Sequence, residues 1–443
     1  MKPALRRQSV RAGPVTGDKP QLGWSRSLLF ASGDFACNLY WQSITFYLLF
    51  FYTDTLGLSA AVAGLITMLA SVWDGIAGLA IGVAADRRSA RTFVRLNAVP
   101  LALAFVLIYL PIPLPGLWLA GFALIAHMLF RTLYVAVNVP YAALTVRIAP
   151  DSASRSRIAG LRMILGASAA LIVALGTQAC IGAAPRIGYA IAAIAFGVIG
   201  TMLLLVVGGM QGTAPAGPVE PTPFRFKDVV AAIAGNRAFA MVNLGICGAV
   251  ASMAVLTRAI PYYFKYEVGD AAAGSTALAA MSVAGVVAIP LWMACAARFG
   301  NRAQWLFSAG LATIALIGLL LLRPTAPLPA QALFVLYQAG GQGLFFGFWA
   351  LIPDVVEHGG RPGAPRMDVL LFAIAALLQK VTMGVAVAIF GGLLSLAGYA
   401  ARAVQPPNVL NALALLTAAL PLAAMLVAAA AMLRFPPLSG RIR

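Results

Sequence analysis

Residues 211–237 read QGTAPAGPVEPTPFRFKDVVAAIAGNR, and they decide the fold because they interrupt a chain that is otherwise almost continuously apolar. The first part of the stretch is rich in Pro and Gly and the rest is amphipathic, as in a flexible connector followed by a surface helix. On either side, long apolar segments alternate with short polar breaks. They fall near 28–51, 60–84, 96–112, 117–146, 163–183 and 188–209, then near 238–262, 275–297, 304–322, 331–353, 369–397 and 408–433. Each is long enough to cross a hydrocarbon core about 30 Å thick as a helix. Inside lipid the helix is the element that satisfies every peptide group within one segment. The expected fold is an all-α membrane protein with twelve transmembrane helices. A basic tail (1–26), a six-helix bundle (27–210), the linker (211–237), a second six-helix bundle (238–433) and a short tail (434–443) make up its domains.

Composition and charge agree with this reading. The 443 residues are 61% hydrophobic and 10% charged, with a mean hydropathy of +0.91, outside the range of soluble globular domains. A net charge of +18 raises the possibility of a nucleic-acid partner, but its distribution excludes one. With the N-terminus placed inside, 24 Lys and Arg fall on the inner face, four (Arg186, Lys265, Arg323, Arg402) on the outer face and three (Arg131, Arg258, Lys380) within apolar segments, which accounts for all 31. That asymmetry is the positive-inside rule. It predicts a multi-pass protein of the cell inner (plasma) membrane with both termini cytoplasmic, whose partners are the bilayer and a small solute. A monomer is expected.

The first 26 residues resemble a signal n-region, but the following apolar run is too long for an h-region, carries Asp34 and lacks an A-x-A-like cleavage site. They read as an inner-face tail. Cys37, Cys180, Cys247 and Cys295 sit in apolar stretches without metal or disulfide spacing and read as packing residues. No phosphate-cradling glycine loop, HExxH or CxxC occurs, so no enzyme and no cofactor are expected.

A charge at the bilayer centre costs at least ~2.5 kcal/mol, so embedded ionisable groups are functional candidates. Asp34, Asp74 and Lys380 come out roughly 10 to 17 Å from the inner end of their helices at about 1.5 Å per residue, a shared depth that would let them meet across a cavity. Helical spacing also makes polar stripes: Asp34, Asn38, Trp41 and Thr45 in the first segment, His127, Arg131, Tyr134, Asn138 and Tyr141 in the fourth, Gln338, Gln342 and Trp349 in the tenth. Together they would line an aqueous chamber. The plainer alternatives are a structural salt bridge for Asp74 and Lys380, a structural role for Arg131, an interhelical hydrogen bond for His127, simple packing for Trp349 and snorkelling for Arg258. Asp86, Arg87, Asp354 and Glu357, at the inner ends of the second and tenth segments, read as gate residues.

The halves look like repeats. Basic turns follow the second segment (Gly82 to Arg88) and the eighth (Ala297 to Arg302), and the fourth and tenth end near Pro140 and Pro353 before loops mixing acids and arginines. Parallel repeats of this kind are the pattern of the major facilitator fold.

Short motifs in a fixed order carry a more specific likeness over roughly 24–400: Gly33, Asp34, Phe35, Ala36; Phe51, Tyr52, Thr53, Asp54; Trp73, Asp74; Asn138, Val139, Pro140, Tyr141; Arg155, Arg157, Arg162; Pro353, Asp354, Glu357; Gln379, Lys380; Gly398, Tyr399. The chain resembles the glycoside-pentoside-hexuronide:cation symporters, the group that includes melibiose permease. By that resemblance Asp34 matches the first-helix acid that binds sugar hydroxyls, Arg162 the fifth-helix arginine of the same site, and Lys380 the eleventh-helix lysine near the cation. Asp74 matches the first of two cation-binding carboxylates, but Gly78 stands where the second belongs, with Ala77 and Leu79 beside it. The family's fourth-helix substrate acid is Asn138 here, and its sugar-packing aromatic is Ala142.

One carboxylate is a poor cage for sodium. The expected protein is a secondary transporter of a sugar, glycoside or uronide, working by alternating access. Asp34, Asn38, Arg131, Asn138, Arg162 and Trp349 are its candidate solute residues. Asp74 and Lys380 carry any coupling, to protons ahead of sodium, with uncoupled facilitation as the other possibility. Two further readings are a carrier of a lysolipid or other amphiphile and a non-transporting membrane sensor on a transporter fold.

Overall fold

A computed structural model of the chain describes residues 23–86, 90–148, 152–210, 236–358 and 368–436, without the side chains at 79, 82–86, 145–147, 152, 153, 155, 156, 357, 358 and 368–370. Among the described residues there are twelve long helices: α1 Trp24–Phe50, α2 Ala60–Asp86, α3 Ala90–Ile108, α4 Gly116–Ile148, α5 Ser152–Ala183, α6 Gly188–Gly209, α7 Arg237–Tyr262, α8 Ala271–Phe299, α9 Asn301–Leu322, α10 Pro327–His358, α11 Asp368–Leu396 and α12 Pro407–Leu433. Ten are long and apolar enough to cross a membrane. The two that fall short are α1 and α10, whose polar stripes dilute their hydropathy. The expected linker helix lies outside the described residues.

Helix ends follow local chemistry. α3 stops at Ile108, earlier than its apolar run suggested, because Pro111, Pro113 and Pro115 cannot continue the ladder. α5 starts at Ser152, well before 163, so that Arg157 and Arg162 stand on a helix instead of in a loop. α1 and α7, the first helices on either side of the linker, both end in π-helical turns, Phe51–Thr55 and Tyr263–Val268.

The two sets of six meet chiefly along the seams α2–α11 and α5–α8. Lipid gives helices no hydrophobic drive to associate, so close backbone approach matters. The α2–α11 seam is built on glycines. A Cβ on Gly391 would lie 2.3 Å from Ala60 O, and one on Gly64 3.1 Å from the Ala388 Cα. This tight seam holds Asp74 of α2 against Lys380 of α11.

Candidate functional site

A cavity of about 410 Å³ opens between the halves, lined from α1, α5, α7, α8 and α10. Its charged wall is Asp34. Arg162 donates to Asp34 Oδ1 from Nε at 3.0 Å and Nη2 at 2.8 Å, and Asn38 Nδ2 donates to Asp34 Oδ2 at 3.1 Å. Two glycines permit this. The missing side chain at Gly33 lets the Tyr141 ring lie on α1, where its hydroxyl donates to Phe30 O at 2.9 Å and its face carries the Arg162 guanidinium at 5.2 Å. At Gly166 a Cβ would sit 3.2 Å from Asn38 Nδ2 and 3.3 Å from Asp34 Oδ2. The pair is only half-buried, so water and solute hydroxyls can reach it. Gln42, Thr45, Thr257, Ser282, Gln338 and Gln342 add neutral hydrogen-bonding groups, and Trp41 adds a ring.

A second polar centre stands behind Trp41. The Arg131 guanidinium lies 4.9 Å from the Trp41 ring, on which Tyr134 also stacks at 5.6 Å, and its Nη1 is 4.0 Å from Asp74 Oδ2. Lys380 Nζ reaches the same oxygen at 2.8 Å. Arg131 Nε also contacts His127 Nε2 at 3.2 Å. Asp74 Oδ1, Arg131 Nη1 and His127 Nδ1 are buried without a hydrogen-bond partner, so the cluster is incompletely satisfied and can rearrange. Asp74 Oδ2 is occupied by an ammonium, and position 78 offers no side-chain oxygen; a Cβ there would lie 3.7 Å from Lys380 Nζ. Lys380 itself stands where the second carboxylate would point.

The third cluster joins the halves at the end away from the chain termini. Asp54, in the π-helical turn after α1, accepts from Lys265 at 2.6 Å and from the hydroxyls of Tyr266 and Tyr399. Thr53 and Tyr262 share a hydrogen bond of 2.8 Å, Arg402 Nε donates to Asp54 O at 2.8 Å, and Tyr47 joins Ser275 at 3.0 Å. All of these contacts cross between the halves. Burial first and the Asp54 carboxylate second push the Tyr399 phenol above its ordinary range, which keeps it a donor. Apart from Lys380–Asp74, the hydrogen bonds that described side chains make between the two halves gather at this end, away from the chain termini.

A sequence family described as "MFS/sugar transport protein" matches residues 29–437. The chain belongs to the MFS/sugar transport protein family. It is similar to the isoprimeverose transporter of Lactiplantibacillus pentosus, 25% identical with 93% of this chain and 90% of that one covered. It is also similar to the glucuronide carrier protein homolog of Escherichia coli (strain K12), 25% identical with 92% and 91% covered. The crystal structure of a D-xylose-proton symporter shares the fold, with a TM-score of 0.69 at 15% identity over 94% of this chain and 99% of that one. This member of the MFS/sugar transport proteins is a multi-pass membrane transporter, not an enzyme.

In this MFS/sugar transport protein the residues singled out from sequence divide between the centres. Asp34, Asn38 and Arg162 stand together on the cavity wall. Arg131 does not reach the cavity: it is 1% exposed, with the Trp41 ring in front of it. Asp74 and Lys380 pair with each other, and neither lines the cavity that Asp34 borders. Asn138, half-buried, and Trp349, 62% exposed, lie outside the cavity lining. Arg258 does not snorkel; it is buried and donates to Ala254 O at 3.2 Å. Asp354 is exposed, while Arg87 and the side chains of Asp86 and Glu357 lie outside the described residues. The Asp54 latch was not foreseen as a gate. Its signal was an acid and a lysine, each among tyrosines, at the ends of the two corresponding helices.

Proposed function

We infer that the protein carries a neutral sugar or glycoside across the inner membrane by alternating access, with the proton as coupling ion. The observation that carries this is the charge balance of the cavity: one Asp and one Arg line it, and they are ion-paired at 2.8 Å. Carboxylate, guanidinium and amide groups suit hydroxyls, which both donate and accept. With Asp34 already neutralising Arg162, a uronate finds no spare cation, so neutral glycosides are favoured over uronides. The relatives named for isoprimeverose and for glucuronide support the sugar class.

Positive charge at the end bearing the termini orients that end to the cytoplasm. The latched end then faces outward, and the cavity is sealed from that side. Rocking the halves would open the latch and strain the Lys380–Asp74 bond, since those residues belong to opposite halves. An acid stripped of its ammonium in a water-poor wall is costly as an anion, and taking up a proton removes that cost. This links halves that move to a proton that binds.

The test is uptake into proteoliposomes of a panel of radiolabelled glycosides, driven separately by proton and sodium gradients. A neutral glycoside should accumulate with the proton gradient alone, and Asp74→Asn should abolish accumulation while exchange persists. Flux without accumulation under either gradient would establish uncoupled facilitation instead. No flux of any glycoside would overturn the carrier reading.

A further inference from the structure

Eight glutamines lie among the described residues. Six are engaged by hydrogen bonds within the fold; Gln331 Nε2, for instance, donates to Ala273 O at 2.9 Å and Thr276 Oγ1 at 2.7 Å. Gln338 and Gln342 have no such bond, and both line the cavity. They stand one helical turn apart on α10, so their carboxamides project to the same side. The neighbouring helix makes room for them. A Cβ on Gly285 of α8 would lie 3.1 Å from Gln338 Nε2 and 3.7 Å from Gln342 Oε1.

The arrangement matches the opposite wall. There, Asp34 and Asn38 are also one turn apart, on α1, and Gly166 of α5 leaves the room they occupy. Each half of the protein therefore offers the cavity two polar side chains on one helix face, accommodated by a glycine of a neighbouring helix. The two walls differ in charge. Asp34 is committed to Arg162 and Asn38, whereas the two carboxamides are neutral and uncommitted. Each carboxamide supplies two N–H donors and a carbonyl acceptor, which suits adjacent hydroxyls without favouring charge.

We propose that Gln338 and Gln342, with room left by Gly285, form a second hydroxyl-binding subsite that takes the second ring of a two-ring glycoside whose first ring lies at Asp34–Arg162. The assignment rests on the glycoside reading of the cavity. It makes these glutamines specificity-determining for solute length. Because they belong to the half opposite Asp34, a two-ring solute touches both halves and a one-ring solute touches mainly one.

The experiment compares the half-saturating concentration for uptake of one-ring methyl glycosides (xyloside, glucoside, galactoside) and two-ring saccharides (isoprimeverose, xylobiose, melibiose). It uses the full-length wild type, Gln338→Ala, Gln342→Ala and Gly285→Ala in proteoliposomes. Losing one neutral hydrogen bond should weaken the best two-ring saccharide about fivefold per glutamine variant and leave the best methyl glycoside within about twofold. Gly285→Ala should act in the same direction, since the flexible Gln338 amide must move away. Saccharide-induced thermal shifts of the purified variants repeat the comparison at equilibrium and separate binding from misfolding. Equal weakening of both probe classes, or no weakening of either, overturns the subsite while leaving the carrier reading in place. Failure of the wild type to move any saccharide overturns both.

Discussion

Asp54 and Lys265 meet at 2.6 Å across the two halves, each on the π-helical turn that ends the first helix of its half. Corresponding positions of two repeats thus supply the acid and the base of one latch. π-helical turns recur at functional sites, and here they bring both side chains to the seam. The hydroxyls of Tyr266 and Tyr399 donate further hydrogen bonds to Asp54. An apolar surface closing the same end would be hard to reopen; a charged latch can be rehydrated when the halves part.

Weakening that latch should shift the protein toward the state open at the opposite end from the termini. In a cysteine-free background carrying Thr45→Cys, a cavity position, Asp54→Asn should raise labelling by an impermeant thiol reagent applied from the latch side about tenfold. A hydrogen bond to a charged group is worth about 1.5–3 kcal/mol, enough for that change. An unchanged labelling rate would show that the latch does not hold the end closed.

Asp34→Asn leaves Arg162 without its counter-charge. Neutral glycoside uptake should lose about tenfold or more in apparent affinity, from the lost charge-assisted bonds. A glucuronide should lose much less, because its carboxylate can take the place of Asp34. Competition assays with both solutes read the ratio, and parallel losses would place the solute away from this pair.

Asp74 and Lys380 should behave as one unit. Removing either partner leaves a charge in a tight helix seam, and the loss should be about 1–3 kcal/mol, below that of a fully buried pair because the Lys380 side chain is 31% exposed. Asp74→Asn combined with Lys380→Gln should recover at least half of the larger single loss in thermal unfolding. Additive losses would argue that the pair is not coupled.

Trp41 joins the cavity to the buried cluster, with Arg131 4.9 Å behind its ring. Trp41→Phe should retain transport with a modest fall in affinity. Trp41→Ala should open the layer between the centres and uncouple solute flux from proton flux, measured as the proton-to-solute ratio. A ratio unchanged in Trp41→Ala would assign the ring to packing alone.

Much of this architecture was legible in the sequence, for identifiable reasons. Apolar length located the helices, since lipid imposes one solution on the backbone, and only local rules moved their ends, as with the prolines after Ile108. Asp34 and Arg162 could be paired from a resemblance, because their motifs lie on separate helices in a fixed order. The stripe through Arg131 was misleading. Periodicity states that residues share a helix face but not whether that face meets a cavity or a neighbouring helix, and here Trp41 decides it. The Asp54 latch joins residues more than 200 positions apart, with no local pattern to announce a contact that depends on how the halves close.

The most direct test of the account is a structure of the protein with the saccharide it transports best, determined in lipid. The account predicts the sugar in the cavity between the halves, with ring hydroxyls within hydrogen-bonding distance of Asp34 and Arg162 and with Lys380 still on Asp74. Sugar density elsewhere, or a sodium ion held by Asp74 in place of Lys380, would contradict it.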